Sequence, residues 1–298
     1  MNRGLAATIA AFLIWGLLPL YLHQLHAVPP VQIMAQRLVW CCVFVLAWLA
    51  LRRELHHVRA ALANPGVRLR LAATALLVST NWLLYVWAVA NNHIVDASLG
   101  YFINPLVNVL LGVVVLSERL NPRQWTAVAI AALGVAYLTW LNGALPWIAL
   151  VLAITFGTYG LIRKTVAVEA LSGLGAETLL IAPLGIVYLL WCEHAGSAAL
   201  GHDGRTIDLL LVASGVVTAV PLALFAYGAR LIPYSTVGLV QYIGPTLQLL
   251  TGVLLYREPF TAARAAGFVM IWVALAIYVI DGFVRSRWIP AAATVAGK

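Results

Sequence analysis

Two ionisable side chains, Arg37 and Glu177, lie inside long apolar runs. A charge at that depth loses its solvation unless it is paired or hydrated, so each is a candidate functional group. Arg37 could attract an anionic solute or hold a gate, and Glu177 could carry a coupled proton. Four amides, Asn104, Asn108, Gln241 and Gln248, gather around two prolines within apolar runs, Pro105 and Pro245. A proline removes a backbone donor and crowds the preceding turn, and a carbonyl freed in lipid needs a polar cavity or a neighbouring helix. Asn81, Tyr85 and Ala88 recur at helical spacing on one face, with Trp82 beside them. Aromatic rings with one polar tip suit the wall of a cavity for an organic solute. The expected substrate-binding set is Asn81, Tyr85, Tyr101, Asn104, Asn108, Gln241, Tyr242 and Gln248, with Pro105 and Pro245 shaping broken helices. The same residue types also make interhelical hydrogen bonds and interfacial belts, and for any one amide that reading is as good.

Other chemistries lack their residues. The sequence has no Gly-x-x-x-x-Gly-Lys-Ser/Thr run, so ATP is not expected to drive it directly. A Gly-x-Ser-x-Gly elbow and a His/Asp/Glu cluster are also missing, which counts against an embedded hydrolase. His23 and His26 are three apart without a third ligand, and Cys41, Cys42 and Cys192 have no metal spacing. No cofactor, metal or disulfide is expected.

Apolar segments must position these residues. Of 298 residues, 63% are hydrophobic and 9% charged, far from the balance of a soluble domain. The apolar runs approach 20 residues, enough to cross a hydrocarbon core of about 30 Å. They predict an all-α integral membrane protein with ten spans near 5–24, 31–51, 70–91, 98–117, 124–141, 144–162, 175–193, 208–228, 235–256 and 263–283. With the N-terminus inside, fourteen of the 18 Lys and Arg residues fall in cytoplasmic segments, and only Arg205, Arg257 and Arg264 fall outside. That bias predicts both termini in the cytoplasm, and it explains the net charge of +8 without a nucleic-acid partner.

A shift of 140 residues lays the second half on the first. Asn104-Pro105 meets Gly244-Pro245, Glu118 meets Glu258, and Arg37 meets Glu177. Five spans per copy is an odd number, so the copies enter the membrane from opposite sides. Such inverted repeats belong to secondary transporters. The expected units are 1–142, 143–284 and a cytoplasmic tail, 285–298. Inversion also places Arg37 and Glu177 on opposite sides of the midplane, each with its own partners. The rival readings are a membrane scaffold or lipid-interacting protein whose duplication is structural, and an embedded enzyme.

The runs Asn81-Trp82-Leu83-Leu84, Ala97-Ser98-Leu99-Gly100-Tyr101-Phe102-Ile103-Asn104-Pro105-Leu106 and Gln241-Tyr242-Ile243-Gly244-Pro245-Thr246 resemble the RarD group of the EamA-type drug/metabolite transporter superfamily. The resemblance spans essentially the whole chain. It implies a multi-pass permease of the bacterial inner membrane, in contact with lipid, that carries a small organic solute through a cavity formed mainly by the third, fourth, eighth and ninth spans. The group's label of chloramphenicol-sensitive permease does not make chloramphenicol the solute.

Overall fold

The computed structural model describes residues 3–117, 120–229, 231–232 and 240–288. Among these residues every regular element is a helix. The apolar runs become α1 (Arg3–Gly16), α2 (Leu18–His23), α3 (Pro30–Leu51), α5 (Pro65–Ala90), α6 (Ile94–Leu116), α7 (Pro122–Asn142), α8 (Trp147–Thr165), α9 (Ala170–His194), α10 (Arg205–Ala229), α11 (Ile243–Leu250) and α12 (Ala262–Trp288). Among the described residues, eight helical segments are long and apolar enough to cross a membrane, counting α1 and α2 as one, and two shorter apolar segments accompany them, Trp147–Arg163 and Ile243–Leu255.

Local chemistry sets the helix ends. Asn64 accepts from the backbone N–H groups of Gly66 and Val67 at the start of α5, where Pro65 needs no partner of its own. Asn121 and Gln124 form a reciprocal capping box on α7, and Gly143 ends that helix in the left-handed region (φ 67°).

Four features depart from the span count. A short helix, α4 (Leu55–Ala63), lies in the basic loop between α3 and α5, where it buries Val58 and Ala61 against the end of α9. The first span is interrupted at Leu17, and Pro19 opens α2. The two prolines singled out as helix breaks differ from each other. α6 runs without interruption through Pro105, whereas the segment of Pro245 turns at Gln241–Tyr242, next to the carbonyls that a proline displaces, and ends in a π-helical turn (Thr251–Leu255). Pro183 and Pro221 lie inside α9 and α10 as well, so an interior proline does not single out one pair of helices.

Small residues let the helices close on one another. A Cβ on Gly100 of α6 would stand 2.8 Å from the Ala149 carbonyl oxygen of α8, and one on Gly215 of α10 would overlap the backbone of Trp40 and Cys41 in α3. The strongest packing pairs are α7 with α12, α6 with α8, α3 with α9 and α10, and α1 with α10. Between them lies a core at whose two ends Arg37 and Glu177 sit.

Candidate functional site

Arg37 stands seven residues into α3 and is only 3% exposed. Its Nε donates to the Thr218 hydroxyl of α10 at 2.6 Å, and its guanidinium carbon lies 4.8 Å from the ring centroid of Trp82 on α5. Nη1 has no hydrogen-bond partner among the described residues. Among the described residues, the groups in electrostatic reach are the hydroxyls of Tyr21, Tyr85 and Tyr101 and the Cys41 thiol, none of them a carboxylate. The Tyr85 hydroxyl is likewise buried without a partner. Its ring meets Tyr101 edge-on at 5.8 Å, and Tyr101 meets Phe156 edge-on at 6.2 Å. Tyr21 donates to the Leu210 carbonyl. An apolar cluster that includes Leu22, Leu25, Ile33, Tyr85 and Leu211 packs at this end of the bundle.

Glu177 occupies the other end, on α9, and is 1% exposed. Thr74 of α5 donates to its Oε1 at 2.7 Å, Tyr159 of α8 to its Oε2 at 3.4 Å, and Arg163 Nε stands 3.6 Å from Oε1. The two intramembrane charges therefore have separate surroundings, one paired with an opposite charge and one not.

The expected amides are largely engaged between helices. Asn81 donates to the Leu152 carbonyl (2.8 Å) and the Thr155 hydroxyl (2.9 Å) of α8, and its carbonyl oxygen is 3.4 Å from the Tyr101 hydroxyl. Asn104 donates to the Ala153 carbonyl at 3.1 Å and accepts from Asn108. Gln248 donates to the Trp15 carbonyl at 3.2 Å. Trp15 is four residues before Pro19, so Gln248 supplies the donor that the proline lacks. Tyr242 stacks on Phe102, with centroids 6.4 Å apart.

Asn81, Tyr85 and Tyr101 thus meet one another near Arg37, and Asn104 and Asn108 form a second pair on α6, with Asn81 and Asn104 reaching the neighbouring carbonyls of Leu152 and Ala153 on α8. Gln248 lies on α11 and Gln241 and Tyr242 in the turn before it, where Tyr242 meets Phe102 of α6. A cavity of about 270 Å³ opens elsewhere, between α3, α5 and α9, lined by Met34, Leu38, Ser79, Leu83, Ile181 and Tyr188. The sequence reading missed Thr218, Tyr21, Thr74, Tyr159 and Arg163. Ser214 and Thr218, four apart in an apolar run, were the one local sign of a polar stripe on α10.

A further cluster sits beyond the Arg37 end. Glu258, in the loop before α12, accepts from the N–H groups of Ile94 (2.6 Å) and Val95 (2.8 Å) and so caps the N-terminus of α6. Burial pushes its carboxyl above the ordinary range; those two donors and Arg264 pull it back, while Asp96 adds to the rise. Asp96 itself pairs with Arg264 and with His93. Glu118, its counterpart by the 140-residue shift, lies outside the described residues.

The profile of the EamA-like transporter family matches residues 2–140. An uncharacterized transporter of Pseudomonas aeruginosa is 46% identical over 290 residues, covering 97% of each chain, and the protein RarD of Salmonella typhi is 44% identical over 286 residues, covering 96% of this chain and 97% of its own. The chain belongs to the EamA-like transporter family, in its RarD group. This transporter is a multi-pass protein of the bacterial inner membrane, as its apolar helices and its relatives agree. A solved crystal structure, 19% identical, covers 94% of this transporter and 98% of its own chain with a TM-score of 0.61, a likeness of fold. Family and relatives alike are transporters, which implies that this one is not an enzyme.

Proposed function

We propose that this transporter is a secondary-active permease that moves a small organic solute (an amino acid, metabolite or drug-like compound) across the inner membrane by alternating access. It does so through ten spans in two inverted five-helix repeats, 1–142 and 143–284, with both termini and the tail 285–298 cytoplasmic. The Arg37 end then faces outward and the Glu177 end inward.

The helix packing supports this reading most strongly. Exchanging the first five spans for the last five turns the α6–α8 pair into α11–α1, the α5–α8 pair into α10–α1 and the α3–α10 pair into α9–α5, and maps α3–α9, α6–α11 and α7–α12 onto themselves. Each counterpart named here is itself a contact, although α5–α6 and α6–α12 have none of comparable extent among the described residues. The hydrogen bonds follow it: Asn104 of α6 reaches a carbonyl of α8, and Gln248 of α11 reaches one of α1. A bundle whose halves can trade places has two packings of similar energy, the condition for opening a central site to either face.

The solute set of Asn81, Tyr85, Tyr101, Asn104, Asn108, Gln241, Tyr242 and Gln248 lies on α5, α6, α11 and the turn before α11, which would have to part from α8 and α1 to admit a solute. Pro105 and Pro245 loosen the backbone of α6 and α11 for that movement. The test is release of solutes from liposomes loaded with amino acids and a metabolite extract, read by mass spectrometry. Protein-dependent release of a small set of solutes, lost in Asn104→Ala at unchanged yield of folded protein, is the expected result. Release no faster than from protein-free liposomes would overturn transport. Glu177 is the candidate for a coupled proton: Glu177→Gln should flatten the pH dependence of the flux, and an unchanged profile removes that role.

A further inference from the structure

A buried cation without a counter-charge is costly, because the interior cannot replace the water it has lost. Among the described residues, each other buried charge has an answer: Glu177 has Arg163, Asp281 has Arg123, and Glu258 has two helix N–H groups. Arg37 has a hydroxyl and the face of an indole. Its Nη1 and the Tyr85 hydroxyl are unpartnered buried donors in electrostatic reach of each other, with the Tyr101 hydroxyl beside them in only a long contact of 3.4 Å.

Resting on the transport reading above, we infer that Arg37, with the hydroxyls of Tyr85 and Tyr101, is the receptor for a carboxylate group of the transported solute. A planar guanidinium presents paired donors that match two carboxylate oxygens, and the Tyr85 hydroxyl donates a further bond from α5. The face of Trp82 and the rings of Tyr85 and Tyr101, with Phe156 edge-on to Tyr101, suit an organic body better than a bare inorganic anion. Thr218 supports this assignment. Its hydroxyl already donates to the Ser214 carbonyl at 2.8 Å, so the Arg37 bond fixes the guanidinium without being needed to satisfy Thr218. The solute class is therefore organic monocarboxylates and amino acids, and neutral analogues are excluded by the stranded charge that they would leave behind.

The experiment uses the full chain purified in detergent and reads its melting temperature. The probes are the twenty amino acids together with benzoate, phenylacetate and short aliphatic carboxylates, each beside its neutral amide, with sodium chloride at equal ionic strength as the inorganic-anion arm. Stabilisation confined to carboxylates is expected, abolished in Arg37→Gln and weakened at least several-fold in Tyr85→Phe. The ligand-free Arg37→Gln protein should melt at the same temperature as the parent or higher, because an uncompensated charge has been removed. Three results would overturn the assignment: equal stabilisation by amides or by chloride alone, a carboxylate response that survives Arg37→Gln, or a ligand-free Arg37→Gln protein that melts well below the parent. A panel without any carboxylate response also overturns it. A neutral solute that is released from liposomes but does not need Arg37 would sink this inference and leave transport intact, whereas no release of any solute would sink transport itself.

Discussion

The two ends of the bundle hold a buried charge each, at positions 140 residues apart in the sequence, and treat it in opposite ways. At the Glu177 end the carboxylate is met by Arg163, Thr74 and Tyr159 from two other helices. At the Arg37 end the guanidinium is held in place by Thr218 and Trp82 while part of its hydrogen-bonding capacity goes unused. The first charge is met by an opposite charge within the protein, although Arg163 Nη1, like Arg37 Nη1, has no hydrogen-bond partner among the described residues. The second has a hydroxyl and an indole face but no opposite charge among the described residues. On the proposed reading, that difference in charge pairing separates a contact between helices from a place for a ligand.

Perturbing the paired end should do the most damage. Arg163→Ala strands a carboxylate that is 1% exposed, and breaking one partner of a buried pair costs about 3 kcal/mol. Denaturation in detergent should show that loss, and adding Glu177→Gln should restore much of it by removing the stranded charge. If the double variant is no better than the single one, the pair is not what closes this end. At the other end, Trp82→Leu deletes the ring under Arg37 and should cost about 1 kcal/mol, the scale of a partly desolvated cation–π contact. The Trp82 change should also lower affinity for a carboxylate probe, which a purely structural ring would not do. The smallest effect belongs to Gln248→Leu, which leaves the Trp15 carbonyl without its side-chain donor; interhelical bonds of this kind are worth about 0.6 kcal/mol. A larger loss there would mean that the interruption at Leu17 depends on Gln248 rather than merely being accommodated by it.

Much of the fold was legible in the sequence because a membrane helix advertises itself locally, through an apolar run of sufficient length. The two charges were equally plain, since a lone Arg or Glu stands out in such a run. Their partners were not. Thr218 is 181 residues from Arg37, and Thr74 is 103 from Glu177, distances over which one sequence carries no pairing signal. Arg163 looked like one of the loop cations that orient the chain, yet it turns back from the end of α8 into the core. Gln248 reads in the sequence as a polar residue near Pro245, but the backbone group that it serves is freed by a different proline, Pro19. The helix α4 escaped because nine residues with a basic, His-containing face read as loop until α9 is there to cover Val58 and Ala61.

The most direct test of alternating access around this site is thiol labelling from each side of the membrane. Thr218→Cys, in a background with Cys41, Cys42 and Cys192 replaced by alanine, puts a reactive group beside Arg37 at a position that is buried in this structure. A membrane-impermeant maleimide is applied to sealed vesicles of either orientation. Labelling of the introduced thiol from both sides, suppressed by a transported solute, is the predicted result. Labelling from one side only, or from neither, would contradict it.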